Sequence, residues 1–420
     1  MAKIKHLKAN LILDSRANSA IETTVVLNDG TTATASCPSG ASVGSYEASE
    51  IKNQDNKVFT GDALLKAISD IENIIAPKLT DIEATKQQEV DKIMIELDGT
   101  QNKSRLGANT ILSVSMAVAK AGAKSSVLPL FLYLRQFINK ENSVLKIPTP
   151  LFNIINGGMH AGGNLDLQEF MIIPASSKSY NQALETGVIV YKALKEILKK
   201  RNFQPLVGDE GGFSPRLSTN HDALLILSEA VNNTPYKIGF DVFFGIDAAA
   251  NNFYKDQRYN LRDKQTPCSS SDMIAYYETL NKEFKVLYLE DPLFEDDWES
   301  WTKLSSTTSS QNTIIVGDDL IATNPYRLQI AIDKKAITGV VIKPNQIGTV
   351  IEALAVVEVA RTAGLKIIVS HRSGETNDDF IADFAVAVSA DYVKFGAPAR
   401  GERVAKYNRL LEINRQLKLI

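Results

Sequence analysis

The chain has 420 residues, with 46 Lys and Arg against 49 Asp and Glu for a formal net charge of −3. That balance argues against a polyanion-seeking surface and against an acidic tail, while 44% hydrophobic and 23% charged residues exclude a wholly disordered or fibrous chain. At roughly 150 residues per domain the length predicts two or three domains, enough to bury a large core without covalent staples.

In chain order, Ile4–Leu13 and Ile21–Leu27 read as strands, and Asn28-Asp29-Gly30 before Thr31–Ser36 is a hairpin signal because glycine tolerates positive φ. Helical patterns follow over Gly61–Ile75, Lys86–Leu97 and Asn109–Lys124; the last is small and apolar almost all round and predicts a buried packing helix. The polar run Asn139–Ser143 before Ile147-Pro148-Thr149-Pro150 marks the expected boundary, dividing an N-terminal α+β domain (1–140) from a catalytic α/β domain (141–420). Ser305–Asn312, the one low-complexity stretch, reads as a solvated loop.

Beyond the boundary, short apolar runs each end in a polar or charged residue. Val242–Ile246 ends at Asp247, Val286–Leu289 at Glu290, Ile314–Gly317 at Asp318, Gly339–Ile342 at Lys343, Lys366–Val369 at Ser370-His371, and Asp391–Val393 at Lys394. After the first interval the spacing is that of one strand–loop–helix–loop unit. Continuous rather than alternating apolar runs predict strands buried on both faces, in a parallel sheet covered by helices. The expected fold is therefore a (β/α)8-type barrel, whose reactive groups collect at the C-terminal strand ends. A doubly wound open sheet would not require charge at so many successive ends.

Asp247, Glu290 and Asp318 would converge at one mouth. Packed carboxylates repel and raise each other's pKa, which a divalent cation relieves, and an all-oxygen set selects a hard ion such as Mg2+. A helix cap or a surface ion pair would explain any one of them alone, but not all three in consecutive units. Lys343 and Lys394 follow at later strand ends; a lysine beside a bound dication and a second lysine is pushed toward the neutral form that acts as a base. The blander alternative is a pair of snorkelling barrel lysines. Of four histidines, His160 lies in NGGMHAGG and His371 in SHRSGET, where Gly-rich backbone, Arg372 and Ser373 suit a phosphate. His6 and His221 stand in ordinary polar context. P-loop, dinucleotide and HExxH patterns are missing.

Cys37 and Cys268 lie far apart with no C-x-x-C, which fits a reducing compartment. The start Met-Ala-Lys-Ile-Lys-His has no apolar stretch suited to a signal peptide, and no apolar run approaches ~18 residues. The expectation is a soluble cytoplasmic protein with no nucleic-acid or membrane signal.

The chain resembles the enolase family along almost its whole length. The resemblance rests on LDSRAN (13–18), PSGASVGSYEA (38–48), LGANTILSVSMA (106–117), NGGMHAGGNLDLQEFM (156–171), VGDEGGFSP (207–215), LEDPLFEDDWESW (289–301), GDDLIATNP (317–325), IKPNQIGT (342–349), SHRSGET (370–376) and KFGAPARGERVAKYNRLL (394–411). It implies a Mg2+-dependent, reversible dehydration of 2-phosphoglycerate to phosphoenolpyruvate in glycolysis and gluconeogenesis, by a lyase. A lysine or histidine base working with Mg2+ is the known pattern of that superfamily, not something read from this chain.

By resemblance, Asp247, Glu290 and Asp318 hold a tightly bound Mg2+, and Ser42 in a mobile loop ligates a second that arrives with substrate. Lys343 is similar to the general base, Glu210 to the general acid and Glu169 to its partner. Gln168, His160, His371, Arg372, Ser373 and Lys394 match positions around substrate. A homodimer or higher homo-oligomer is implied, and a second binding role, at a cell surface or in an RNA-processing complex, is compatible with it.

Three stretches depart from the family. Ala17-Asn18-Ser19-Ala20 replaces its usual Gly-Asn-Pro-Thr, Val43 its usual Thr, and Gly401 its common Ser; none falls on a proposed ligand, base or acid. Two alternatives have clear discriminators. Another superfamily enzyme, acting beside a different carboxylate, would not be expected to carry SHRSGET and GDEGG; a binding protein without turnover would have lost the base or the ligands.

Overall fold

The computed structural model describes residues 2–40, 44–53, 59–139, 144–308 and 312–419. Ser42, Val43 and the expected 140/141 boundary lie outside the described residues.

The chain opens on three antiparallel strands, β1 (Ile4–Leu13), β2 (Ser19–Leu27) and β3 (Thr32–Ser36), in sheet order β1-β2-β3. Gly30 makes the β2–β3 turn with φ +86°, a left-handed conformation that β-carbon sterics discourage elsewhere. Alternation on β2 turns Ile21, Val25 and Leu27 inward, toward helix Ala108–Ser125. That helix is buried all round, as its composition predicts, and Ser113 is paired with Thr23 at 2.7 Å. The 61–75 pattern forms helix Asp62–Asp70, continuing through a π-helical turn at Ile71–Ile75 into Ala76–Leu79.

The second part is a closed barrel. Its strands are β4 (Thr149–Asn156), β5 (Glu169–Pro174), β6 (Val242–Asp247), β9 (Val286–Glu290), β10 (Ile314–Gly317), β11 (Gly339–Ile342), β12 (Lys366–Ser370) and β13 (Tyr392–Lys394). A short ribbon, β7 (Tyr254–Lys255) with β8 (Arg258–Tyr259), sits within the long β6–β9 connection and accounts for that first, longer interval. Leu151, Met171, Tyr288, Val316, Val341 and Ile368, from different strands, form a buried cluster separate from the main core, filling the barrel as side-chain layers do in this architecture.

Two expectations need correction. The sheet is not wholly parallel: β5 runs antiparallel to both β4 and β6. Only residues 157–168 join β4 to β5, with a single 3-10 turn at Gly158–Ala161; a parallel return needs a crossover helix, so the strand comes straight back. Ser305–Thr308 is helix rather than loop. Helix Trp298–Thr308 runs through it, because Trp301 and Leu304 anchor it in the core and the Thr307 and Thr308 hydroxyls donate to the Leu304 carbonyl.

The two parts interlock at the start of barrel helix Val350–Thr362. Asp91 accepts from Ile351 N at 3.0 Å and Ser115 Oγ from Val350 N at 3.1 Å, so N-terminal side chains satisfy that helix's first amides. Among the described residues no single helix is long and apolar enough to cross a membrane.

Candidate active site

Strand register builds the site. Asn156 pairs with Glu169, Glu169 with Asp247, and Asp247 with Glu290, giving a row of polar residues across the ends of β4, β5, β6 and β9. Asp318 and Lys343 directly follow β10 and β11, and Lys394 ends β13 opposite Ser370. Sequence-distant groups thus meet at one mouth because each closes or directly follows a strand, except Glu169, which opens the reversed strand β5.

Lys394 lies at the centre, 2% exposed, its Nζ 2.7 Å from Glu290 Oε1, 3.0 Å from Asp247 Oδ2 and 3.4 Å from Glu169 Oε1. Lys343 pairs with Asp318, whose other oxygen accepts from Gln346 Nε2 at 3.1 Å. Gln168 donates to Asp247 at 3.4 Å. Neither lysine is a snorkelling residue.

The other half of the pocket holds Glu210, in the turn 208–212. Gly211 has φ +86°, and a β-carbon there would come within 2.9 Å of the Ala399 carbonyl, so only glycine lets this turn close beside the carboxylate. Glu210 accepts from Asn153 Nδ2 at 3.0 Å; His371 Nε2 faces it at 3.3 Å and His160 Nδ1 at 3.5 Å. His160 also stands 3.8 Å from Glu169. Arg372 is held by both oxygens of Glu47 (2.9 and 3.2 Å), a carboxylate from the N-terminal part. Ser373 is buried in the same wall. His6 is exposed and His221 half-buried, pairing with Glu283 at 3.0 Å.

The electrostatics separate these groups. Burial, then Asp247, pushes Glu290 up to about 8; burial and then Asp319 raise Asp291 well above its ordinary range. Asp318 is pushed up by burial, but Lys343 and Lys394 outweigh that and bring it to about 2. Burial pulls Lys343 toward neutrality, yet Asp318 reverses the sign and its pKa is raised, opposite to the direction expected from sequence. Burial and then the Glu210 charge push Glu169 well up, so it keeps a proton. Glu210 is pushed up by burial but held low by the imidazoles facing it. His371 is brought down to about 3, chiefly by burial, and so is neutral; its Nε2 stands 3.3 Å from Glu210 Oε1, short of a well-aligned hydrogen bond.

The chemistry of the donors fits a hard divalent cation. Asp247, Glu290 and Asp291 offer oxygens within 4.8 Å of one another, as do Asp291, Asp318 and Asp319. Five carboxyls face two lysines, and after burial it is neighbouring carboxylates that raise Glu290 and Asp291, the repulsion a cation would relieve. Asp291 spends both oxygens on backbone amides, accepting from Asp318 N at 3.0 Å and Asp319 N at 2.7 Å. It braces the turn that presents Asp318.

Reading the sequence missed Asp291, Asp319, Asn153, Gln346 and Glu47. The first two adjoin residues it did select, in EDP and GDD. Nothing local marks Glu47 as the partner of Arg372.

A closed eight-stranded barrel with an N-terminal α+β part, carboxylates at successive strand ends and a lysine beside them, defines a TIM-barrel class of protein with a candidate metal-binding mouth. Residues 144–419 match the family model for the enolase C-terminal TIM barrel domain, and residues 4–134 that for the enolase N-terminal domain. The chain is 47% identical over 417 residues to a protein named Enolase from Acidothermus cellulolyticus, covering 99% of this chain and 95% of the relative. The chain belongs to the enolase family. It is accordingly a lyase, a phosphopyruvate hydratase of glycolysis.

Proposed function

We propose that Lys343 and the Glu169–Glu210 pair divide the two proton transfers that convert 2-phospho-D-glycerate into phosphoenolpyruvate. The observation carrying this reading is that two differently tuned proton-handling groups line one pocket: a lysine paired with a carboxylate, and two carboxyls facing two imidazoles. Lys343 takes the C2 proton. Burial, Arg372 and Lys394 oppose the Lys343 ammonium and Asp318 outweighs them, so a cation drawing on the Asp318 charge would free Lys343 to act as base.

Loss of that proton builds negative charge on the substrate carboxyl, and the buried Lys394 ammonium is a fixed charge to meet it. Asp247, Glu290 and Asp318 would hold one Mg2+, with Ser42 joining a second that arrives with substrate. When bound, these ions supply Lewis-acid stabilisation of that negative charge. Glu210 protonates the leaving hydroxyl, and Glu169 is its proton reservoir across His160. Arg372, Ser373, His371 and Gln168 orient the phosphate and the hydroxyl.

We further propose the division into residues 1–140 and 141–420, assembly as a homodimer or higher homo-oligomer, and a cytoplasmic setting; the buried free thiols Cys37 and Cys268 fit the last.

The test is absorbance of phosphoenolpyruvate formed from 2-phosphoglycerate, with and without Mg2+. Turnover that requires Mg2+ is expected. Turnover of a phosphate-free hydroxy acid in its place would mark a different superfamily enzyme, and no turnover of either would leave a binding protein.

A further inference from the structure

Arg403, in helix Gly401–Leu417, is fully buried and outside the assigned machinery. Its Nη1 donates to the Arg372 carbonyl at 2.6 Å and lies 2.8 Å from His371 Nδ1; its Nη2 donates to the carbonyls of Ser373 (2.7 Å) and Asp209 (3.2 Å). A guanidinium has five N–H donors, no acceptor, and does not deprotonate in proteins. His371 Nδ1 must therefore present its lone pair, because a proton there would set two donors against each other. The ring is left with its hydrogen on Nε2, the nitrogen 3.3 Å from Glu210 Oε1. The charged groups around the ring agree: Arg403 from the last helix and Lys394 from β13 oppose an imidazolium, and only Glu210 favours one.

We propose that Arg403 is a positioning residue that fixes His371 as the neutral Nε2–H tautomer and aims that donor at Glu210. On the functional reading above, on which this rests, the N–H faces the Glu210 carboxylate, which is charged before it takes a proton from Glu169 and again once it has protonated the leaving hydroxyl. The proton that is transferred belongs to the carboxyl pair, and His371 keeps its own. The same guanidinium ties the Asp209 carbonyl beside Glu210 to those of Arg372 and Ser373, setting the acid's loop against the phosphate-binding loop. An orienting partner that selects a histidine tautomer is a known device in other enzymes.

The test is 15N NMR of imidazole-labelled Mg2+ holoenzyme without substrate. With four histidines the spectrum is simple, and the resonance missing from His371→Gln assigns the ring. An Nε2–H tautomer unchanged from about pH 8 to about pH 5, a span in which an ordinary histidine titrates, is expected. An Nδ1–H tautomer, or an imidazolium in that range, overturns the proposal.

Arg403→Met removes the donor and should let His371 titrate. The acid limb of kcat then moves to higher pH, and kcat falls about tenfold or more with KM less affected, short of the ~10²–10⁴ that losing a proton transfer costs. Arg403→Lys, which can still donate to Nδ1, should restore the tautomer and the pH profile. An unchanged tautomer and acid limb in Arg403→Met overturns the proposal; if that variant does not fold, the wild-type spectrum decides alone. A wild type that fails to dehydrate 2-phosphoglycerate would sink the functional reading, whereas the tautomer is read without substrate and stands or falls by its own spectrum.

Discussion

On the Lys394 side of the pocket, the Asp247 and Glu290 carboxyls crowd one ammonium; on the Glu210 side, Glu169 and Glu210 face two imidazoles. The two sides are buried alike, yet they handle protons differently. Cations keep Asp318 ionised, whereas Glu169, facing the Glu210 charge, holds its proton. The lesson is that burial alone assigns no role: the charge facing each group decides which one is acid and which is base.

The sharpest way to break the comparison is to remove one proton-handling residue from each side. Lys343→Ala should abolish both C2 exchange and dehydration. Glu210→Gln should keep measurable exchange while losing elimination, each loss being about 10²–10⁴-fold in its own step. NMR of 2-phosphoglycerate in heavy water follows both at once. Equal loss of exchange in the two variants would mean one concerted step and no division of labour.

Next in size is the metal. Asp318→Asn or Glu290→Gln should weaken Mg2+ binding in calorimetric titration and remove turnover with the fold intact, because each deletes a buried charge at a strand end. Wild-type Mg2+ affinity in either variant would exclude it as a ligand. Ser42→Ala should raise the Mg2+ needed for activity more than it weakens the first ion, and equal loss at both sites would refute that separation.

Glu47→Gln tests the seam between the N-terminal part and the barrel. It removes the carboxylate that holds buried Arg372, a change that typically costs about 3–5 kcal/mol for a buried pair. Denaturant melts read this directly, and a loss below about 1 kcal/mol, the range of an exposed pair, would show that the guanidinium's charge is balanced elsewhere.

The smallest effect concerns Asp91, raised from an ordinary 3.8 to about 7, first by burial. The folded state then binds a proton that the unfolded state releases, so this group's contribution to stability falls as pH rises from about 4 to about 7. Asp91→Asn should flatten that part of the stability curve. An unchanged slope in melts across this range would show that Asp91 is not its source.

The strand-end residues were legible in the sequence because a strand buried on both faces leaves its first polar residue at the rim. Asp247, Glu290, Asp318, Lys343, His371 and Lys394 all stand there. Glu210 was not legible that way: it sits in a glycine turn, and only the family resemblance singled it out. Local sequence also missed the reversal of β5, which follows from a connection too short for a crossover helix.

What the sequence determined by itself was the strand–helix alternation, the buried helix read over 109–124 and the donors available at the mouth, all of which depend on neighbours along the chain. The tertiary structure alone decided that Asp318 raises Lys343, that Glu47 holds Arg372 and that Arg403 faces His371. Coulomb and hydrogen-bond terms act over a few ångströms of space, and in these last two pairs barrel closure and docking of the N-terminal part supply a proximity that chain order does not encode.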